Sequence, residues 1–79
     1  MLFKKTGAAV IASIREVIAA DREALSKAQE YFEREREKAA LQRMKQLELE
    51  VTRLERVIAN VDPEQTYDLT EQDLVDFGF

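Results

Sequence analysis

The chain contains no cysteine and no histidine among its 79 residues. No disulfide is possible without cysteine, and without either residue type the usual ligands of a structural zinc ion are missing. A domain of this size buries too little apolar surface to be very stable alone, so some other support is expected. Association with another copy is the support that remains, and we expect a homo-oligomer, in its simplest form a homodimer.

The lack of histidine also argues against catalysis. The hydroxyl groups of Ser13, Ser26, Thr52 and Thr70 have no imidazole to activate them, and no pair of carboxylates stands out as an acid and a base. We therefore predict that the protein is not an enzyme, has no catalytic residue and uses no cofactor.

Long apolar runs are absent too. The longest nearly apolar stretch, residues 8–14, ends at Arg15 and Glu16, far short of the roughly 20 residues that cross a bilayer. The sequence predicts no membrane span and no membrane partner. A cysteine-free composition fits a reducing compartment, so we expect a cytoplasmic protein.

Glycine and proline are almost absent, because the chain has only Gly7, Pro63 and Gly78. Between residues 8 and 60 nothing compels a turn, and the residues that lose least on entering a helix predominate there. A single helix of this length would extend about 80 Å, too far for a compact monomer to cover. The helix is therefore expected to lie against another helix.

Two apolar stripes indicate where helices pack, and we predict that both belong to an oligomer interface. The stronger stripe has the alternating three- and four-residue spacing of coiled-coil a and d positions. It consists of Met44, Leu47, Val51, Leu54, Ile58 and Val61. The weaker stripe has Asp21 where an apolar residue is expected, and it consists of Ile11, Ile14, Ile18, Leu25, Ala28 and Phe32.

The two stripes are out of phase between Phe32 and Met44. One explanation is a continuous helix in which steps of four residues move the stripe around the helix. The other is a long helical hairpin with its turn within residues 33–39, although that stretch has no Gly, Pro, Asn or Ser. A break at residues 20–26 is a further possibility. Local propensity favours the continuous helix.

The orientation of the helices in an oligomer is left open by the sequence. An antiparallel pair of continuous helices would bring the acidic C-terminus of one chain near Lys4 and Lys5 of the other. Attraction between these opposite charges favours the antiparallel arrangement.

The composition changes abruptly at Asp62. Residues 1–61 hold all twelve basic residues and ten of the sixteen acidic ones, whereas residues 62–79 hold six acidic residues and no basic one. Asp62 can cap a short turn at Pro63, and Thr70 with Asp73 can cap a short helix. We therefore predict an oligomerisation region, residues 1–61, and an acidic C-terminal tail, residues 62–79, that contains a short helical turn.

Metal and nucleic-acid binding are both disfavoured. Carboxylates are densest at Glu30, Glu33 and Glu37, but basic residues alternate with them, which is typical of a solvated helix face. Those same carboxylates cancel most of the field of the neighbouring arginines, and the sequence pI is about 4.8. We predict no metal site and no direct nucleic-acid binding.

The acidic tail is the best candidate for binding a larger protein, one that belongs to a nucleic-acid-processing complex. Repeated carboxylates can occupy a basic surface that normally accepts phosphates. The predicted partner-binding residues are Asp68, Glu71, Asp73, Leu74, Asp76, Phe77 and Phe79. One alternative is that the tail merely keeps the protein soluble, and another is that a charged helix face binds the partner. A third is that Leu74, Phe77 and Phe79 pack against the helical body or a second copy.

Part of this tail resembles the short peptides that bind sliding clamps. Gln72, Val75 and Phe79 match that motif, whereas Gly78 stands where an aromatic residue is expected. The resemblance covers eight residues and implies a clamp-type partner only if the pocket tolerates the missing ring.

The sequence as a whole favours an all-α protein. It is a long helix forming a coiled coil, or a long helical hairpin, with a short C-terminal helical turn in an acidic tail. The expected function is that of a small acidic adaptor or inhibitor, a format typical of phage and mobile-element proteins that act on host machinery. The alternative is a purely structural coiled coil whose only partner is itself.

Overall fold

The computed structural model describes all 79 residues, which form two long helices, one short helix and a small sheet. In chain order the elements are β1 (Phe3–Thr6), α1 (Gly7–Glu35), α2 (Lys38–Ala59), β2 (Thr66–Leu69) and α3 (Glu71–Asp76). The molecule measures 45 × 22 × 15 Å. The mostly helical character expected from the sequence is confirmed.

α1 and α2 form an antiparallel hairpin with a turn of two residues, Arg36 and Glu37. Arg36 adopts the left-handed conformation (φ 57°, ψ 31°), and its backbone N–H donates to the carbonyl of Phe32 at 2.8 Å. A single chain therefore forms the helical hairpin, with its turn within residues 33–39 as one of the two predictions had it. The continuous helix that local propensity favoured is wrong for this fold. Burial of two apolar stripes against each other overrides the local preference.

The chain also forms a two-stranded antiparallel sheet, so the fold is not entirely α-helical. This sheet was not expected from the sequence. β1 pairs with β2 in a register that places Phe3 opposite Leu69 and Thr6 opposite Thr66. Leu69 faces inward and is buried, whereas Lys4 and Asp68 face solvent. Each strand has only four residues, too few for periodicity to separate a strand from a loop.

The core lies at the end of the hairpin that carries the sheet. Its central members come from both helices and from β2: Val10, Ile14, Ile18, Val51, Leu54 and Leu69. Complete burial of one such side chain contributes about 1.5–3 kcal/mol. Only nine of the 79 residues are buried, so a small number of side chains carries most of the stability.

The start of α1 is fixed by the chain that follows α2. Thr6 caps the helix by accepting a hydrogen bond from the N–H of Ala9 at 3.1 Å. The N–H of Gly7 donates to the carbonyl of Gln65 at 2.7 Å, and that of Ala8 to the carbonyl of Pro63 at 3.1 Å. These bonds satisfy helix N–H groups that have no partner within α1, and they hold the C-terminal segment in place.

Candidate functional site

The acidic C-terminal tail, residues 62–79, is called the acidic segment from here on, and it begins with a tight turn built around Asp62. The Asp62 side chain accepts a hydrogen bond from the N–H of Glu64 at 2.9 Å, and its backbone carbonyl accepts one from the N–H of Gln65 at 3.1 Å. The N–H of Asp62 donates to the hydroxyl of Tyr67 at 2.8 Å. The turn directs the chain into β2, which pairs with β1.

α3 begins with the cap that the sequence predicts. Thr70 accepts from the N–H of Asp73 at 3.1 Å, and the Asp73 carboxylate accepts from the N–H of Thr70 at 3.0 Å. This reciprocal pair is a capping box, in which two otherwise unpaired N–H groups are satisfied. The second cap candidate in the tail is therefore confirmed.

The inner side of α3 is attached to α1 and the core. Leu74 and Phe77 pack against the core cluster. The hydroxyl of Ser13 donates to the carbonyl of Phe77 at 2.6 Å, and Gly78 (φ 85°) lies against Val17. The acidic segment is consequently an ordered part of the fold.

The six carboxylates of this segment fall into two groups. Asp62 and Asp73 are occupied by the local hydrogen bonds of the turn and the cap. The other four share the segment with an exposed apolar side chain, Val75, which is 71% accessible. We call this set the acidic face: Glu64, Asp68, Glu71, Asp76 and Val75.

Within the acidic face the carboxylates differ in their surroundings. Glu64 and Glu71 are exposed and accept no hydrogen bond from another side chain. Asp68 lies opposite Lys4 across the sheet. Asp76 is half-buried and accepts from the side chain of Gln72 at 2.9 Å.

The residues predicted to form an oligomer interface are all at least partly buried within one chain. Five of them are buried: Ile14, Ile18, Leu47, Val51 and Leu54. The others are half-buried: Ile11, Leu25, Ala28, Phe32, Met44, Ile58 and Val61. The two stripes thus face each other within the hairpin, and their use between chains stays a prediction.

The residues predicted to bind a partner are divided by the fold. Asp68, Glu71 and Phe79 are exposed, and the Phe79 ring lies under the ammonium group of Lys5 at 5.1 Å. Leu74 and Phe77 face the core, and Asp73 caps α3. Of the clamp-peptide match, Gln72, Val75 and Phe79 are exposed.

Sequence reasoning missed several residues that position this site. Val10 belongs to the same stripe as Ile14 and Ile18 at four-residue intervals, a signal present in the sequence. Leu69 and Tyr67 gain their roles from strand pairing, and Ser13 gains its role from α3 docking. No local sequence pattern predicts these long-range contacts.

Asp21, the polar residue in the weaker stripe, faces Glu50 across the hairpin. Its Oδ2 atom is buried and has no hydrogen-bond donor. Burial, hydrogen bonding to Asp21 and the charge of Asp21 together raise the pKa of the Glu50 carboxyl, and Arg53 and Arg43 oppose that rise. A proton on Glu50 supplies the donor that Asp21 lacks.

The pair predicts a pH dependence of stability. The Glu50 pKa is raised on folding, so the protonated form of Glu50 stabilises the folded state. This contribution to stability is complete below the ordinary glutamate pKa and is lost as pH rises through the raised value. Glu50→Gln is therefore expected to raise the melting temperature at pH 7, with a smaller difference from the wild type near pH 4. Exposed Glu48 on the same helix supplies the control, Glu48→Gln, which should change little. Equal pH profiles for the wild type and Glu50→Gln would contradict this assignment.

No group of three or more acidic side chains converges in a way that suits a metal ion. None of the three helices combines the length and apolar character that a membrane crossing requires. Comparison with protein-family models, with curated protein sequences and with solved structures gave no significant match.

Proposed function

We propose that the protein is a small adaptor or inhibitor that acts as a homo-oligomer and presents its acidic face to a basic surface of a larger protein. The surface it blocks is one that otherwise accepts nucleic acid. The observation that carries the proposal is that the acidic segment is folded onto the helices and sheet while Glu64, Asp68 and Glu71 stay exposed on it. A fixed set of negative charges pays less entropy on binding than a flexible tail does.

The arrangement of the segment supports binding over mere solubilisation. A solubilising tail needs neither a capping box nor pairing to β1, yet this segment has both. An apolar side chain exposed among carboxylates adds desolvation energy to electrostatic steering in a protein contact. Val75 has that position beside Glu71 and Asp76.

The test must use point variants, because residues 62–79 supply Leu69, Leu74 and Phe77 to the core. Glu64→Gln, Asp68→Asn and Glu71→Gln together remove three exposed charges of the acidic face. The matched control, Glu16→Gln, Glu30→Gln and Glu33→Gln, removes three exposed charges from α1. Both variants should retain the wild-type circular dichroism spectrum.

The measurement is affinity capture from the native host, with quantification by mass spectrometry. The expected result is one nucleic-acid-binding protein whose recovery falls by about 10-fold or more with the acidic-face variant, equivalent to roughly 1.4 kcal/mol. The α1 control should keep wild-type recovery, and added DNA should displace the captured protein. Equal recovery with both triple variants would exclude the acidic face as the binding surface.

The alternative is a purely structural assembly protein. It predicts that the acidic-face variant differs from the wild type only in solubility, while self-association persists. Capture and molar mass measured on the same preparations therefore separate the two functions.

A further inference from the structure

The turn between α1 and α2, which we call the hinge, consists of Arg36 and Glu37. Arg36 is the one non-glycine residue with positive φ in the chain, a conformation that disfavours any residue with a Cβ atom. Glu37, at the N-cap of α2, makes no side-chain capping bond. The residues on either side are strong helix formers. The local sequence thus opposes the turn that the hairpin requires.

The contacts that hold the hairpin together join residues 1–35 with residues 38–79. β1 pairs with β2, the Arg22 guanidinium bonds Glu55 at 2.8 Å, and Ser13 bonds Phe77 at 2.6 Å. The core likewise combines side chains from both segments. None of these contacts involves the hinge itself, so each is available between two chains as well as within one.

The pairing is also symmetric about the hinge. In every pair of the sheet, from Phe3 with Leu69 to Thr6 with Thr66, the two residues lie equally far from Arg36 along the chain. If the hinge becomes helical, two copies can lie antiparallel with their Arg36 residues at a twofold axis. Each α1 then meets the α2 of the other chain in an unchanged register.

We propose that the protein forms a domain-swapped dimer in which the hinge is helical and residues 1–35 of each chain pack on residues 38–79 of the other. The exchange keeps the core, the sheet and both acidic faces, and it relieves the left-handed conformation of two arginines. A closed exchange of identical segments is a low-cost route to a dimer. The partner is a second copy of this chain. The inference specifies the homo-oligomer of the proposed function and does not depend on what the acidic face binds.

The exchange can be detected with one pair of thiols, because the chain has no cysteine of its own. Lys4 and Asp68 are cross-strand neighbours exposed to solvent. The double variant Lys4→Cys with Asp68→Cys would be treated with a short bis-maleimide after the dimer fraction has been isolated by size exclusion. Exchange predicts a covalent dimer in denaturing mass spectrometry, and Lys4→Cys alone should give little of it.

Two results would overturn the proposal. One is a monomer by light scattering up to millimolar concentration. The other is a dimer whose cross-linked chains have the mass of a monomer, since that dimer would be made of intact hairpins. If the dimer forms but no protein binds the acidic face, only the proposed partner binding is contradicted.

A hinge variant tests the same idea without cross-linking. Glycine relieves the left-handed conformation in the hairpin and weakens the continuous helix. Arg36→Gly is therefore expected to raise the dimer dissociation constant by at least about 30-fold, which corresponds to about 1 kcal/mol for each of two hinges. Lys45→Gly, at an exposed position that is helical in both forms, is the control and should leave the constant unchanged. An unchanged constant for Arg36→Gly would count against exchange at the hinge.

Discussion

Leu54→Asp is expected to lower the free energy of unfolding by several kcal/mol. Leu54 is 1% exposed and lies in the core between α1, α2 and β2. The variant loses about 1.5–3 kcal/mol of apolar burial and places an unpaired carboxylate where several kcal/mol more is required to hold it. A domain of this length has a total stability of roughly 4–12 kcal/mol. Helical circular dichroism and its thermal melting curve measure the loss.

The same substitution at Leu49 is the matched control. Leu49 lies on α2, as Leu54 does, but is 72% exposed. Leu49→Asp should change the free energy of unfolding by no more than about 0.5 kcal/mol, as surface substitutions usually do. Similar melting temperatures for the two variants would mean that α2 does not pack on α1 through the face that contains Leu54.

Gly7→Ala is expected to lower the free energy of unfolding by about 2 kcal/mol or more, although alanine favours helix over glycine. A Cβ atom at Gly7 would lie 2.7 Å from the carbonyl carbon of Asp62 and 2.9 Å from Cα of Pro63. The backbone must move apart, which weakens the bonds from Gly7 to Gln65 and from Ala8 to Pro63, each worth about 0.5–1.5 kcal/mol. Urea unfolding at pH 7 measures the change.

Ser26→Ala provides the comparison for this second substitution. Ser26 is exposed in the same helix, and alanine there gains a few tenths of a kcal/mol from its higher helix propensity. Opposite signs for the two variants would assign the Gly7 effect to the close approach of residues 62–63. A stabilised Gly7→Ala variant would show that the segment does not dock at the start of α1.

The helical content was readable from the sequence because it follows from composition and apolar spacing, which are local. The hinge could not be predicted from the sequence, because Arg36 adopts a conformation that glycine or asparagine normally adopts. The phase difference between the stripes that include Phe32 and Met44 was the available clue. Stripes on two facing helices of a hairpin have no reason to share one heptad phase.

The acidic face could be predicted in part. Its charge is evident in the sequence, and the Thr70 and Asp73 cap follows a recognised pattern. The inward orientation of Leu74 and Phe77 could not be separated from partner binding, because apolar residues on a short helix serve either role. Their orientation depends on the pairing of β2 with β1, a contact that joins the two ends of the chain.

The two termini are neighbours at the sheet end of the hairpin, where Lys5 covers the ring of Phe79. A mechanical load applied between the first and last residues would therefore peel the sheet and then the helices apart in sequence, from the acidic face towards the hinge. Only a few contacts resist at any moment in this geometry, so a hairpin tethered at both ends should yield at low force. In the exchanged dimer the ends of any one chain lie at opposite ends of the rod, and the same load would act along the helices and strain all their contacts together.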